Sequence, residues 1–207
     1  MKYIDLTQTI DNDTKVYPGD EKFKISKQTS LESDGYTTYS IKTGLHVGTH
    51  VDIPMHMCES NKYISEYPLS KFIGNGVLLD VVGENIIEMK DEYFKKIKEN
   101  DIVLFYTGFS SKFGEEDYFN NHPIIIEEVA EFLVRKKVKM VGIDAPSVDK
   151  YPYNIHKILL QNGIPLLENI TNLKDLLYVE EFEVFAQPLK FNAEASLVRA
   201  FAQYKGY

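Results

Sequence analysis

Three short apolar runs, Val77–Val82, Ile102–Thr107 and Lys139–Ile143, constrain the fold of this chain most. Continuous apolar runs of this length read as strands buried deep in a protein. Further strands are predicted at Lys2–Leu6, at Tyr36–Thr43, where β-branched and aromatic residues crowd together, and at Phe182–Pro188 and Ser196–Ala202. Three helices are predicted between them. Asp91–Glu99 opens on a capping Asp. Ile124–Lys136 places acids early and bases late, which suits the helix dipole. Asn154–Asn162 starts on a capping Asn and stops at Gly163, with Pro165 two residues on. Strands outnumber helices. A β-rich first half followed by helix–strand alternation predicts a mixed α/β fold, strand-rich with helices on the outside.

The 207 residues suffice for one domain with a sizeable core, and no repeat, low-complexity block or Pro/Gly/Ser-rich linker divides residues 1–207. Hydrophobic residues at 43% and charged residues at 26% are ordinary for a globular chain, which argues against disorder. A net charge of −8 argues against non-specific binding to nucleic acid or to anionic membranes. The single cysteine, Cys58, cannot build a disulfide framework. The opening MKYIDLTQTI has no long apolar stretch of the signal-peptide kind, and no run approaches the length of a membrane span. A cytoplasmic location is therefore expected.

The chemistry concentrates in one stretch, Gly44 to His56, which holds three of the five histidines, His46, His50 and His56, together with Asp52. Imidazole nitrogens plus an anionic oxygen, with positions left open for water, are what a hydrolase needs to bind a divalent metal. A helix would place His46 and His50 on one face, but Val47, Gly48, Thr49 and Val51 are poor helix formers and Pro54 follows. On an extended strand, four residues span about 13 Å, too far for two imidazoles on one ion. Gly48 resolves this by allowing a turn or bulge that brings His46 and His50 together, with Asp52 at the next inward position. Pro54 then stiffens the segment that presents His56. The bland alternative is a set of separate surface or core histidines.

The segment His46-Val-Gly-Thr-His50-Val-Asp52-Ile-Pro-Met-His56 resembles the HxGTHxDxPxH signature of the metal-dependent cyclase family, and all seven fixed positions are present. That family includes bacterial kynurenine formamidases and isatin hydrolases. The resemblance extends from Ile4-Asp5-Leu6-Thr7 and Val16-Tyr17-Pro18-Gly19-Asp20, through Gly142 to Asp149, to His156, Glu168, Asn169 and Val198-Arg199-Ala200. It implies a β/β/α fold, usually assembled as a homodimer or higher homo-oligomer. It implies a first metal held by His46, His50 and Asp52, and a second by Asp52, His156 and Glu168. Zn2+, up to two per chain, is the implied ion, with Mn2+ as the alternative. His56 becomes the general acid/base and Tyr17 lines the substrate pocket. Tyr17 stands where such formamidases usually carry Trp; it keeps an aromatic face, adds a hydroxyl and loses area. The implied activity is hydrolysis of a small molecule, N-formylkynurenine, to kynurenine and formate. Its rivals are opening of a cyclic amide or lactone, such as isatin, and a non-catalytic metal-binding protein. The retained His56 argues against the last.

By themselves, His156 on its helix reads as a satisfied structural histidine and Glu168 as a solvated strand end; the resemblance promotes both to ligands. His122, before Pro123, is expected at the surface, and Asp149 in turn chemistry. Asp144 is open between turn and site. Cys58 reads as a small hydrophobe, and Arg199 either grips a carboxylate or forms a structural ion pair. No G-x-S-x-G elbow and no phosphate-cradling glycine loop is present.

Overall fold

The computed structural model describes residues 1–206. In chain order its elements begin with β1 (Lys2–Asp5), β2 (Lys24–Thr29), α1 (Leu31–Asp34), β3 (Thr38–Lys42), β4 (His50–Asp52), β5 (Ile73–Asp80) and β6 (Ile86–Ile87). They continue with α2 (Asp91–Lys96), β7 (Ile102–Tyr106), β8 (Ile124–Ile125), α3 (Glu127–Arg135), β9 (Met140–Ile143) and α4 (Asn154–Gln161). The last are β10 (Leu166–Glu168), β11 (Phe182–Phe185), β12 (Ala195–Leu197) and β13 (Phe201–Tyr204).

Among the described residues, nine strands form one sheet in the order β1-β13-β11-β5-β7-β9-β10-β4-β12. Its centre, β5 through β10, is parallel, and both flanks are antiparallel. An antiparallel bridge between Thr7 and Ile170 ties the chain leaving β1 to the chain leaving β10, so the sheet curls toward itself.

The apolar runs form the centre because a strand covered on both faces needs apolar side chains at every position. Along β7, Val103 and Phe105 enter one core, while Ile102 and Leu104 enter the other. The first core is capped by α3, through Val129, Ala130, Phe132 and Leu133, and by α4, through Ile155, Leu159 and Leu160. The second core is filled from inside the curl by Leu6, Val51, Ile53, Phe72 and Ile170. This mixed, strand-rich arrangement with few helices is the fold class that the sequence predicts.

Several boundaries differ from the sequence reading, each for a physical reason. β5 begins before the apolar run, at Ile73, and passes through Gly74-Asn75-Gly76; a Cβ on Gly76 would overlap the Phe182 ring, so a glycine is needed there. The helix expected from Ile124 starts at Glu127, because Ile124–Ile125 pairs with Ile86–Ile87 in a small parallel sheet. Asp91 is the first residue inside α2 rather than its cap, which is Lys90, and the helix ends at Lys96. The strand expected over Ser196–Ala202 is two strands, because the chain changes partners between them. Val198 N donates to Thr49 O, whereas Leu6 N donates to Ala200 O. β4 and β10, three residues each, were too short to be seen as a pattern. No helix among the described residues is long and apolar enough to cross a membrane.

Candidate metal centre

The site is assembled where β4 and β10 lie side by side. Gly48, just before β4, adopts the left-handed conformation with φ 62°, and a Cβ there would lie 2.5 Å from Ile10 Cγ2. The reversal folds His46 back over β4, as the sequence predicts. Thr49 anchors the turn: its Oγ1 donates to Asn169 O at 2.7 Å and accepts from Gln8 N at 2.9 Å. His50 and Asp52, two residues apart on β4, project from the same face. The antiparallel register places Glu168 of β10 across from His50. Pro54–His56 forms a 3₁₀ turn with Pro54 in its first turn, and His56 N donates to Ile53 O at 2.9 Å.

His156 comes from the buried face of α4 and is oriented by Asp149. One Asp149 oxygen accepts from Ile155 N at 2.7 Å and His156 N at 3.3 Å, capping the helix. The other accepts from His156 Nδ1 at 2.6 Å. A carboxylate can only accept, so the proton is on Nδ1, and Nε2 faces Glu168 Oε1 at 3.3 Å. His50 is treated alike: Nδ1 donates to Gly48 O at 2.8 Å, which leaves Nε2 for the site.

Two sets of ligand atoms result, each within 4.8 Å of one another: His46, His50 and Asp52, and Asp52, His156 and Glu168. Asp52 is common to both. A tetrahedral ion with bonds of about 2.0–2.1 Å spaces its ligand atoms about 3.3 Å apart. The observed spacings within each set bracket that value: 2.9 Å from His46 Nδ1 and 3.5 Å from His50 Nε2 to Asp52 Oδ1, and 3.3 Å from His156 Nε2 to Glu168 Oε1. His50 Nε2 and both Asp52 oxygens are buried without a hydrogen-bond partner. Buried polar atoms left unpaired cost free energy, and a buried carboxylate most of all. A divalent cation among these donors removes that cost, so the residues present fit the metal.

The electrostatics agree. Burial disfavours the charged form of His46 and His156. The Asp52 carboxylate outweighs this for His46, raising it to about 9. Asp149 and Glu168 do so for His156, raising it to about 10. Asp52 is held well below the usual carboxylate range: the surrounding imidazoles of His50, His46 and His56 overcome the opposing effect of burial. His56 behaves differently. Burial, opposed by Asp52 and reinforced by His46 and His156, pushes it below the ordinary histidine value. Its ring packs on His46 with centroids 4.2 Å apart and lies 6.3 Å from that of His156.

All six of the predicted His, Asp and Glu residues converge here. Tyr17 is one step removed. Its hydroxyl hydrogen-bonds to that of Tyr153 at 2.8 Å, and the Tyr153 ring stands edge-on to His156 at 5.9 Å. His122 is buried, not at the surface, because its Nε2 donates to Asp149 O at 3.0 Å. Asp149 does more than shape a turn, as its grip on His156 shows. Asp144 is buried and accepts from Thr107 N, Thr107 Oγ1 and Gly108 N, tying the end of β7 to β9 outside the site. Arg199 forms an exposed ion pair with Asp5. Cys58 is free and half-buried. Sequence reading missed Glu194, whose Oε1 lies 3.4 Å from His46 Nε2, and Tyr153. Glu194 meets the site only through the tertiary fold, whereas Tyr153 directly precedes α4, three residues before His156, with no motif to mark its ring as facing the site.

The chain is similar to known proteins along most of its length. The family model described as Cyclase matches residues 4–150. An uncharacterized protein of Methanocaldococcus jannaschii is 34% identical over 98% of this chain and 99% of its own. The kynurenine formamidase of Bacillus cytotoxicus is 28% identical over 96% of both chains. Among solved structures, isatin hydrolase A from Labrenzia aggregata superposes with a TM-score of 0.86 at 25% identity, covering 97% of this chain and 93% of that one. A protein described as a potential metal-dependent hydrolase with cyclase activity superposes with a TM-score of 0.80 at 28% identity, covering 97% and 98%. The chain belongs to the cyclase family and is a metal-dependent hydrolase.

Proposed function

We propose that this chain hydrolyses N-formylkynurenine to kynurenine and formate. His46, His50 and Asp52 hold one divalent ion, and Asp52, His156 and Glu168 hold a second. The observation that carries this reading is the convergence of unpaired buried donors, His50 Nε2 and both Asp52 oxygens, beside a histidine, His56, that burial pushes below its ordinary value. Zn2+ is the assigned ion, with Mn2+ as the alternative, and the assembly is a homodimer or larger. A divalent ion in such a site supplies Lewis acidity toward the formyl carbonyl and toward water.

The chain's own residues do the rest. Gly48 O and Asp149 fix the His50 and His156 tautomers, so each presents Nε2 to the site. His56, neutral near pH 7, accepts the proton that water releases as its oxygen adds to the formyl carbon. It then returns that proton to the nitrogen as the C–N bond breaks, so that formate and the free arylamine leave. Tyr17 and Tyr153 offer an aromatic wall beside His156 for the ring of the substrate. The match to a kynurenine formamidase along nearly the whole chain supports this substrate.

A second reading, opening of a cyclic amide such as isatin, is favoured by the TM-score of 0.86 to isatin hydrolase A. The test is turnover by the Zn2+- or Mn2+-loaded protein on N-formylkynurenine, isatin and a lactone panel, following formate release and ring opening. Metal-dependent formate release is expected. Turnover of isatin alone moves the assignment to the second reading. Metal uptake without turnover of any of these substrates overturns both.

A further inference from the structure

Glu194 lies outside both ligand sets and reaches His46 from the opposite side. It directly precedes β12, whose Ala195 pairs with Asp52, and its own carbonyl accepts from Ile53 N at 3.2 Å. The backbone beside the site therefore fixes where this carboxylate starts. The His46 ring is caught between two carboxylates, with Nδ1 2.9 Å from Asp52 Oδ1 and Nε2 3.4 Å from Glu194 Oε1.

A neutral imidazole has one N–H and one lone pair, and its neighbours decide which nitrogen carries which. Asp52 Oδ1 has no hydrogen-bond partner although Nδ1 is only 2.9 Å away, so a proton on Nδ1 would not point at that oxygen. Two ligands of a single ion have this relation: each lone pair points at the ion and passes beside the other ligand. Nδ1 is therefore the ligand atom of His46, and the N–H belongs on Nε2.

We propose that Glu194 is a positioning residue for His46, accepting its Nε2–H and so holding the Nδ1 lone pair toward the ion shared with Asp52. The other two histidines show this device closed, with Gly48 O on His50 Nδ1 at 2.8 Å and Asp149 on His156 Nδ1 at 2.6 Å, whereas Glu194 stands at an ion-pair distance of 3.4 Å from His46 Nε2. Acceptors of this kind fix both the tautomer and the ring orientation of a metal-binding histidine. The inference rests on the metal reading proposed above. Glu194 is 37% exposed where Asp149 is buried, so water weakens its hold.

The experiment is Zn2+ competition against a chromophoric chelator, resolving the two ions, for the wild type, Glu194→Ala and Glu194→Gln. It is paired with 15N spectra of the histidine rings in the Zn2+-loaded proteins. Glu194→Ala should weaken the ion at His46 about 10-fold, the lower end of the 10–100-fold range for such acceptors, and spare the other ion. The His46 ring signals should broaden or shift as the orientation loosens. Glu194→Gln keeps an amide oxygen that can accept Nε2–H, and should restore most of the affinity. If both variants keep wild-type affinity and His46 signals, this inference alone falls. If Glu194→Ala loses the ion as completely as His46→Ala, Glu194 is a ligand and the positioning role is refuted. A wild-type chain that binds no Zn2+ overturns the metal reading as well.

Discussion

Replacing Asp149 with Asn tests the link between helix capping and metal binding. Asp149 uses one oxygen for Ile155 N and His156 N at 2.7 and 3.3 Å, and the other for His156 Nδ1 at 2.6 Å. Asn has a single acceptor oxygen and an NH2 that only donates. If the oxygen serves the helix, the NH2 faces Nδ1, the proton moves to Nε2, and His156 cannot ligate beside Glu168. If the amide flips, the start of α4 loses its cap, worth about 1 kcal/mol. Retaining His156 in the wrong orientation costs about 10–100-fold in affinity for the second ion. That is about 1.4–2.7 kcal/mol at about 1.4 kcal/mol per tenfold. Asp149→Asn should therefore show wild-type affinity at His46/His50 and the 10–100-fold loss at the other site, read by chelator competition. Urea unfolding of the chelated protein should report any loss of the cap. A variant that unfolds with the wild type and holds both ions at wild-type affinity would refute the reasoning.

His56→Ala should keep near-normal metal content by elemental analysis while kcat falls about 10²–10⁴-fold, the usual effect of removing a general acid/base; metal loss as complete as in His50→Ala would make His56 a ligand. In the chelated protein, burial disfavours charge on His46 and His156, but Asp52, and Asp149 with Glu168, raise them to about 9 and about 10. Raised values mean that this stabilisation is fully present below the unfolded value of about 6.5 and is lost as pH rises through the folded values. Chelated protein should therefore lose stability between about pH 6.5 and 10, while Zn2+ affinity rises over that window because binding displaces those protons. An affinity that stays flat or falls would contradict this. Gly48→Ala puts a Cβ 2.5 Å from Ile10 Cγ2 at φ 62°. It should cost about 1–2 kcal/mol in denaturant unfolding and weaken the His46 ion more than the other. An unchanged midpoint would show that the turn relaxes freely.

The motif from His46 to His56 was legible because its geometry is local: one glycine makes the turn, one strand aligns His50 with Asp52, and one proline sets off the segment carrying His56. The buried centre of the sheet was legible for a similar reason, since strands covered on both faces must be apolar throughout, as β7 and β9 are. The family resemblance named His156 and Glu168 as ligands, but what buries and orients the site residues was decided by the tertiary structure. Glu168 is buried because β10 is clamped between β9 and β4, a relation that three residues cannot announce. His122 looked like a surface residue beside a proline, yet the Asp149 carbonyl draws it inside. Glu194 meets His46 from the far end of the chain, and Asp149 binds His156 across a loop that reads as a turn. A ligand's residue type and spacing are local properties, so the sequence by itself determined the motif and its chemistry. The carboxylates behind those ligands, Asp149 through bonds to the start of α4 and Glu194 through a contact from β12's edge, have no period or spacing to mark them, and only the folded arrangement of loop, helix and strand decided which they are.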